Sequence, residues 1–425
     1  MAEQFLDYEK ALTCIHCGLC LASCPTYLET GNENDSPRGR IYIMRGVQNG
    51  RLPLDETAVR HIDLCLGCRA CEVACPSGVQ YGELLESTRA HIEHRYPRSV
   101  FQTFLRRVAI EQVFPYPWRM KLAVLPVKLA RALGLGGLLP KVAAFVPEDA
   151  RAVTLPETSP TTVTPTRGRV GLVAGCVQSA MFGETNAATV RLLNAAGYEV
   201  VTPREQVCCG ALFAHGGNLA RAREFARRNI AVFEQYNLDA IVINAAGCGS
   251  TLKEYGHLVG DERARKFGAK VKDLSEILCA LPGGGPRSVV AESVRGRRDG
   301  ARPSAENARV TFHDACHLAH AQRITKPPRE LVRAVAGENF VELPEAEVCC
   351  GSAGSYNLTE PEMAERLQKR KIENILKTGA QVVVTSNPGC ILQIRAGLRK
   401  AGAVNVRVLH LADYLAEAML GRNDG

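Results

Sequence analysis

Cys14-Ile-His-Cys17-Gly-Leu-Cys20-Leu-Ala-Ser-Cys24-Pro25 and Cys65-Leu-Gly-Cys68-Arg-Ala-Cys71-Glu-Val-Ala-Cys75-Pro76 share one form, C-x2-C-x2-C-x3-C-P. With this spacing a single small domain holds two [4Fe–4S] clusters. Three thiolates two residues apart curl around one face of a cubane. The fourth falls on the next helical turn and points toward the neighbouring cluster, and the proline ends that turn. The spacing therefore predicts Cys14, Cys17, Cys20 and Cys75 on one cluster, and Cys24, Cys65, Cys68 and Cys71 on the other. Structural zinc would need only two C-x2-C pairs, without a third and fourth cysteine and a proline, twice over. His16, between two ligands, reads as a surface or supporting residue.

Outward from these motifs, the chain has 425 residues, too many for one compact core, and 17 cysteines. That cysteine count in a long chain does not fit a small secreted disulfide scaffold. The first ten residues are polar and lack an apolar signal core, so a reducing compartment is expected. No apolar run reaches the roughly 18–20 residues of a spanning helix. A formal charge of +8 favours contact with acidic surfaces, a partner protein or anionic lipid. No nucleic-acid motif is present.

The second half repeats itself. Arg169-Val-Gly-Leu-Val-Ala-Gly-Cys176 and Arg309-Val-Thr-Phe-His-Asp-Ala-Cys316 each read as a strand ending in a cysteine. Helical patterns follow, with Val190, Leu192 and Leu193 in one and Leu331, Val332 and Val335 in the other. Then come Cys208-Cys209-Gly210 and Cys349-Cys350-Gly351, a second helical stretch, and the buried-strand runs Asp239–Asn244 and Gln381–Ser386. Each unit closes on a last cysteine, Cys248 or Cys390. The first cysteine lies 32 and 33 positions before the pair, and the last one 40 and 41 after the pair begins. Alternating strands and helices argue for parallel βαβ units.

The expected fold is therefore α/β: a mainly helical two-cluster ferredoxin-type domain (1–95), a helical connector with a Pro/Thr linker (96–165), and two repeated parallel α/β Cys-Cys-Gly domains (166–282 and 304–421). A Gly/Pro/Arg-rich connector, Pro282 to Pro303, separates the repeats. Cys176, Cys208, Cys209 and Cys248, with Cys316, Cys349, Cys350 and Cys390, are candidate ligands for one or two further iron–sulfur clusters. Adjacent cysteines make poor disulfides but can bridge two irons, and the following glycine permits positive φ beside a bulky group. First and last cysteines follow strands, and ligands in such folds sit at strand carboxyl ends. Cys279, without a counterpart, reads as core. His215, His257, His313, His317 and His320 read as hydrogen-bonding neighbours of the cysteines rather than ligands.

These residues carry a resemblance. A twin-cluster domain followed by two Cys-Cys-Gly domains resembles the iron–sulfur subunit of glycolate oxidase (glycolate dehydrogenase), over nearly the whole chain. Supporting stretches include Cys24-Pro-Thr-Tyr27, Pro37-Arg-Gly-Arg-Ile-Tyr42, Cys75-Pro-Ser-Gly-Val79, Thr185-Asn-Ala-Ala-Thr189, Ala246-Gly-Cys-Gly249 and Cys349-Cys-Gly-Ser-Ala-Gly-Ser-Tyr356. The resemblance implies a separate FAD-binding subunit that oxidises glycolate to glyoxylate. This chain would pass the electrons toward the membrane quinone pool and would have no catalytic residue of its own. Sister complexes acting on D-lactate or glycerol 3-phosphate share the pattern, and a self-contained reductase of the heterodisulfide reductase kind is the rival from another class. Domains of that kind close on C-x2-C. Here Ala245 and Asn387 replace its first cysteine, which counts against five-cysteine sites and leaves four per repeat. The stretch from Trp118 to Val146, apolar with Arg119, Lys121, Lys128, Arg131 and Lys141, suits packing on a partner subunit or on an internal domain ahead of an interfacial helix. The expected location is cytoplasmic, peripheral on the inner membrane face.

Overall fold

The computed structural model describes residues 4–133, 146–161, 163–281 and 308–421; the connector at 282–303 and Lys141 lie outside them. Helices Pro25–Thr30, Pro37–Gln48, Glu56–Asp63 and Tyr81–Arg95 form the first unit around Leu6, Ile41, Met44, Ile62, Leu84 and Ile92. Local chemistry starts them. Ser36 accepts from the Gly39 N–H with Pro37 in the first helical turn, and Asp55 accepts from the Ala58 N–H. The segment between the two cysteine motifs is thus helical, as its sequence suggests.

The connector continues helically through Val100–Phe104, a π-helical run Leu105–Val113, and Pro117–Ala132. The last helix buries Met120, Val124 and Val127, and turns Trp118, Leu122, Leu125 and Leu129 outward. Among the described residues no helix is long and apolar enough to cross a membrane.

Two mainly parallel sheets follow. The first has the order β1-β3-β2-β4-β5, with β1 Thr158–Ser159, β2 Gly168–Leu172, β3 Tyr198–Val201, β4 Ala240–Ile243 and β5 Val271–Asp273. Only β1 is antiparallel, pairing Thr158 with Val201; it arises inside the Pro/Thr stretch. The second has the order β6-β7-β8, with β6 Val310–Phe312, β7 Val382–Thr385 and β8 Arg407–His410. A parallel bridge from Val310 to Phe340 takes the place that β3 holds in the first sheet. Strands β4 and β7 are buried throughout, as the runs of β-branched residues require.

The repeats share one core, in which Leu172, Leu193 and Val242 of the first meet Phe312, Val384 and Leu415 of the second. The pairing is reciprocal: helix Gly183–Ala195 packs on Leu411–Leu420, and Leu274–Cys279 on Lys326–Ala336. Cys279, half-buried, donates to the Pro327 carbonyl at 3.4 Å and packs against this core.

His410 pins the joint. Its Nδ1 accepts from the Ala412 N–H at 3.0 Å, and its Nε2 lies 2.7 Å from the Asn244 carbonyl of the other repeat. That arrangement needs the neutral ring, and burial lowers its pKa to about 4. An unfolded histidine binds its proton near pH 6.5, so the unfolded state gains protons first on acidification and stability falls as pH drops from about 6.5 toward 4. Between pH 7 and pH 5 the native chain should lose about 2 kcal/mol more than a His410→Gln variant. Denaturant melts at both pH values check this; parallel losses would remove His410 as the cause.

Candidate metal centres

Cys24, Cys65, Cys68 and Cys71 line one space, together with Pro25, Thr26, Pro37, Arg40 and Tyr81. The helix starting at Pro25 brings Cys24, from the first motif, to three cysteines of the second. Arg40 is 1 % exposed on the inner face of its helix. It donates to the His61 carbonyl at 2.6 Å and to Thr26 Oγ1 at 3.1 Å, and Tyr81 donates to Cys65 Sγ at 3.6 Å. Burial works against a Cys65 thiolate, but Arg40 and Arg89 outweigh it and hold its pKa below the usual value. Burial pushes Cys68 and Cys71 well above it.

Cys14, Cys20 and Cys75 border the same helical core from its edge, half-buried, while Cys17 is exposed. Burial raises the Cys20 thiol to about 11, and Cys14 is among its charged neighbours. His16 is exposed, and its carbonyl accepts from Arg38 at 3.1 Å.

Each repeat gathers its four cysteines. In the first, Cys176 Sγ donates to Cys208 Sγ at 3.4 Å. Contacts with Cys176 and Cys209, then burial, push Cys208 well up, whereas contacts from Cys208 and Cys248 hold Cys209 well down. In the second, contact with Cys349 and burial push Cys316 well up. For Cys349 and Cys350, the lowering contact with the preceding cysteine is outweighed by the following one and by burial. All of these cysteines are free thiols. Thiols that touch in a row in a largely buried site are hard to ionise together, and a bound cation reverses that cost. The all-thiol donor sets, and the space between the first four, fit iron–sulfur clusters.

The turn after each cysteine pair is set by glycine: φ is +85° at Gly210 and +87° at Gly351. Each backs onto a helix, at Ala222 in Leu219–Phe233 and at Ala364 in Pro361–Thr378. Seven residues further along, Asn229 and Lys371 occupy matching buried positions. Asn229 donates to the Cys208 carbonyl at 3.0 Å; Lys371 donates to the Glu345 carbonyl. Burial lowers the Lys371 pKa, opposed by Cys350 and Cys349.

The first unit sits across both repeats. Cys68 shares a buried cluster with Cys316, Cys349 and Tyr356, and Tyr356 donates to the Leu64 carbonyl at 2.8 Å. Arg69 pairs with Glu254, and Arg89 donates to the His215 carbonyl at 3.0 Å. His215 stacks on His317 at 5.0 Å and meets Glu86 at 2.9 Å. His317 lies 3.2 Å from the Gly67 carbonyl, and burial, followed by His215 and Arg69, lowers its pKa to about 3. His320 lies 3.1 Å from the Glu347 carbonyl, and His257 is exposed beside Glu83. Those four behave as neighbours and spacers. His313 is fully buried, its ring facing the Ala346 main chain with neither nitrogen in a well-formed hydrogen bond. Sequence reasoning did not single out Arg40, Tyr81 or Lys371, although Arg40 falls within the Pro37–Tyr42 stretch.

Comparison with known proteins agrees with this arrangement. A 4Fe-4S dicluster domain model matches residues 10–79, and a cysteine-rich domain model matches 170–253 and 310–395. The linker-region model of the glycolate oxidase iron–sulfur subunit matches 101–145. The chain is 39% identical over 438 residues to the probable glycolate oxidase iron–sulfur subunit of Bacillus subtilis, covering 98% of this chain and 96% of that one. It is 34% identical to the glycolate oxidase iron–sulfur subunit of Escherichia coli, covering 96% and 93%. A hypothetical protein from Helicobacter pylori shares the fold at a TM-score of 0.53 and 9% identity, over 93% of this chain and 70% of that one. The resident cofactors are multiple iron–sulfur clusters, and this chain belongs to the family of glycolate oxidase iron–sulfur subunits.

Proposed function

We propose that the chain is the electron-transfer subunit of a flavin-dependent glycolate dehydrogenase complex, passing electrons from an FAD-binding partner toward the quinone pool. Cys14, Cys17, Cys20 and Cys75 hold one [4Fe–4S] cluster, and Cys24, Cys65, Cys68 and Cys71 hold the other. The four cysteines of each repeat hold further clusters. Bound clusters supply one-electron transfer; the chain's own side chains hold them, keep water out and set their charge. The observation that carries the reading is that Cys68, from the dicluster unit, shares one buried cluster with Cys316 and Cys349 of the second repeat, near enough for their charges to interact. It brings two ligand sets side by side. Substrate oxidation belongs to the partner, and no side chain here is assigned to acid–base catalysis.

The outward row Trp118, Leu122, Leu125 and Leu129 supports peripheral attachment, either to the partner or to the inner face of the membrane. Anaerobic affinity purification from the native host tests the whole reading, with dye reduction driven by glycolate, D-lactate and glycerol 3-phosphate in parallel. A flavoprotein should co-purify, glycolate should be the preferred donor, and low-salt fractionation should leave part of the complex with membranes. Purification without any flavoprotein would end the subunit reading, and preference for another donor would move the chain to a sister complex.

A further inference from the structure

The two repeats differ where it matters for metal chemistry. Three residues before the first cysteine, the first repeat has Val173 and the second has His313. His313 is 0 % exposed; one side of its ring faces the Ala346 main chain, and neither ring nitrogen completes a well-formed hydrogen bond. Buried polar groups are rarely left so, because each costs about 1–3 kcal/mol. One of its nitrogens and the Sγ atoms of Cys350 and Cys390 all lie within 4.8 Å of one another. Asn387 adds a contact of 3.6 Å to Cys390 Sγ. At the matching place in the first repeat, Val173 offers no donor atom.

We propose that His313 is a nitrogen ligand of the iron–sulfur centre in the second repeat, making it a mixed thiolate–imidazole site while the first repeat is all-thiolate. The inference rests on the reading that the second repeat holds a cluster. An unligated His313 would leave at least one ring nitrogen stranded beside two thiols. Ligation satisfies that nitrogen and leaves the other facing the Ala346 main chain, the usual arrangement of metal-bound imidazole. His313 takes the metal position of one of the repeat's four thiolates; a neutral ligand there reduces the negative charge at the cluster, and replacing cysteines by histidines raises cluster potentials. Lys371, buried in the second repeat where the first has Asn229, acts in the same direction. The second repeat's centre is therefore reduced more readily than the first's.

The test uses the full chain, prepared anaerobically from cells supplied with 15N-histidine and partly reduced. Pulsed electron paramagnetic resonance should show a nitrogen coupling that changes with the isotope on one cluster signal. That signal should disappear in Cys350→Ser, which identifies the repeat. In His313→Cys, iron should be retained, the coupling lost and the midpoint potential of that signal lowered; His313→Val provides the same readout without a new ligand. A signal lost in Cys350→Ser but free of histidine coupling, or a coupling that survives in both His313 variants, would overturn the ligand assignment alone. Iron content and every signal unchanged in Cys350→Ser would overturn it together with the reading that this repeat carries a cluster.

Discussion

Cys68→Ser is expected to cost the chain about four irons and most of its electron transfer. Cys68 lines the space shared with Cys24, Cys65 and Cys71, all buried. It also shares a buried cluster with Cys316 and Cys349. Serine offers a hard, weakly acidic oxygen where a soft thiolate is required. Removing even a supporting group around a metal costs roughly 10–100-fold in affinity or activity, so a lost ligand should cost at least that. Metal binding of this kind is coupled to folding, so the helical unit should also melt earlier. Cys17→Ser, at an exposed site, should lose a similar amount of iron with less effect on melting. Cys279→Ser, far from any such set, should lose none. Iron and acid-labile sulfide assays with thermal melts decide the matter; full iron and activity in Cys68→Ser would sink the assignment of this ligand set.

Gly351→Ala should be the more damaging of two substitutions that look the same in the sequence. At both Gly210 and Gly351 the backbone is left-handed, which costs an alanine about 1–2 kcal/mol. A Cβ on Gly210 would sit 3.3 Å from the Ala222 carbonyl oxygen, a distance small shifts can relieve. A Cβ on Gly351 would sit 2.4 Å from the Ala364 carbonyl oxygen, which must move with its helix. Overpacking of that kind adds about 1–3 kcal/mol. Gly210→Ala should therefore cost about 1–2 kcal/mol and Gly351→Ala about 2–5 kcal/mol, the latter a large share of a typical domain's stability. Displacing that helix also displaces Lys371 and the turn carrying Cys350, so iron content should fall as well. Denaturant melts of both variants provide the comparison, and equal losses would contradict the geometry.

Chelation explains why so much could be read from the chain. A cubane needs several thiolates from a few consecutive residues, and that requirement is written as spacing. The repeats are visible for a similar reason: the runs at Ala240–Ile243 and Val382–Thr385 form central strands buried on both faces. The rest depends on what packs against what. Arg40, Lys371 and His313 are polar residues inside the protein, and no local pattern distinguishes them from solvated ones. His313 read as a hydrogen-bonding neighbour because its partners are counted only once β6, β7 and the Cys349–Gly351 turn have been brought together. The edge strand Thr158–Ser159 exists because Val200 and Val201 offer it a sheet to join. Its own sequence is that of a linker.

The reciprocal packing of Gly183–Ala195 on Leu411–Leu420, and of Leu274–Cys279 on Lys326–Ala336, has a bearing on inheritance. Two identical subunits meeting this way would receive every substitution twice, once in each copy. Fusing the copies into one polypeptide lifts that restriction. A histidine or a lysine can enter one half while its opposite number stays valine or asparagine, and the shared core keeps the altered and unaltered halves in register. The scaffold stays near-symmetrical while its two pockets are free to specialise.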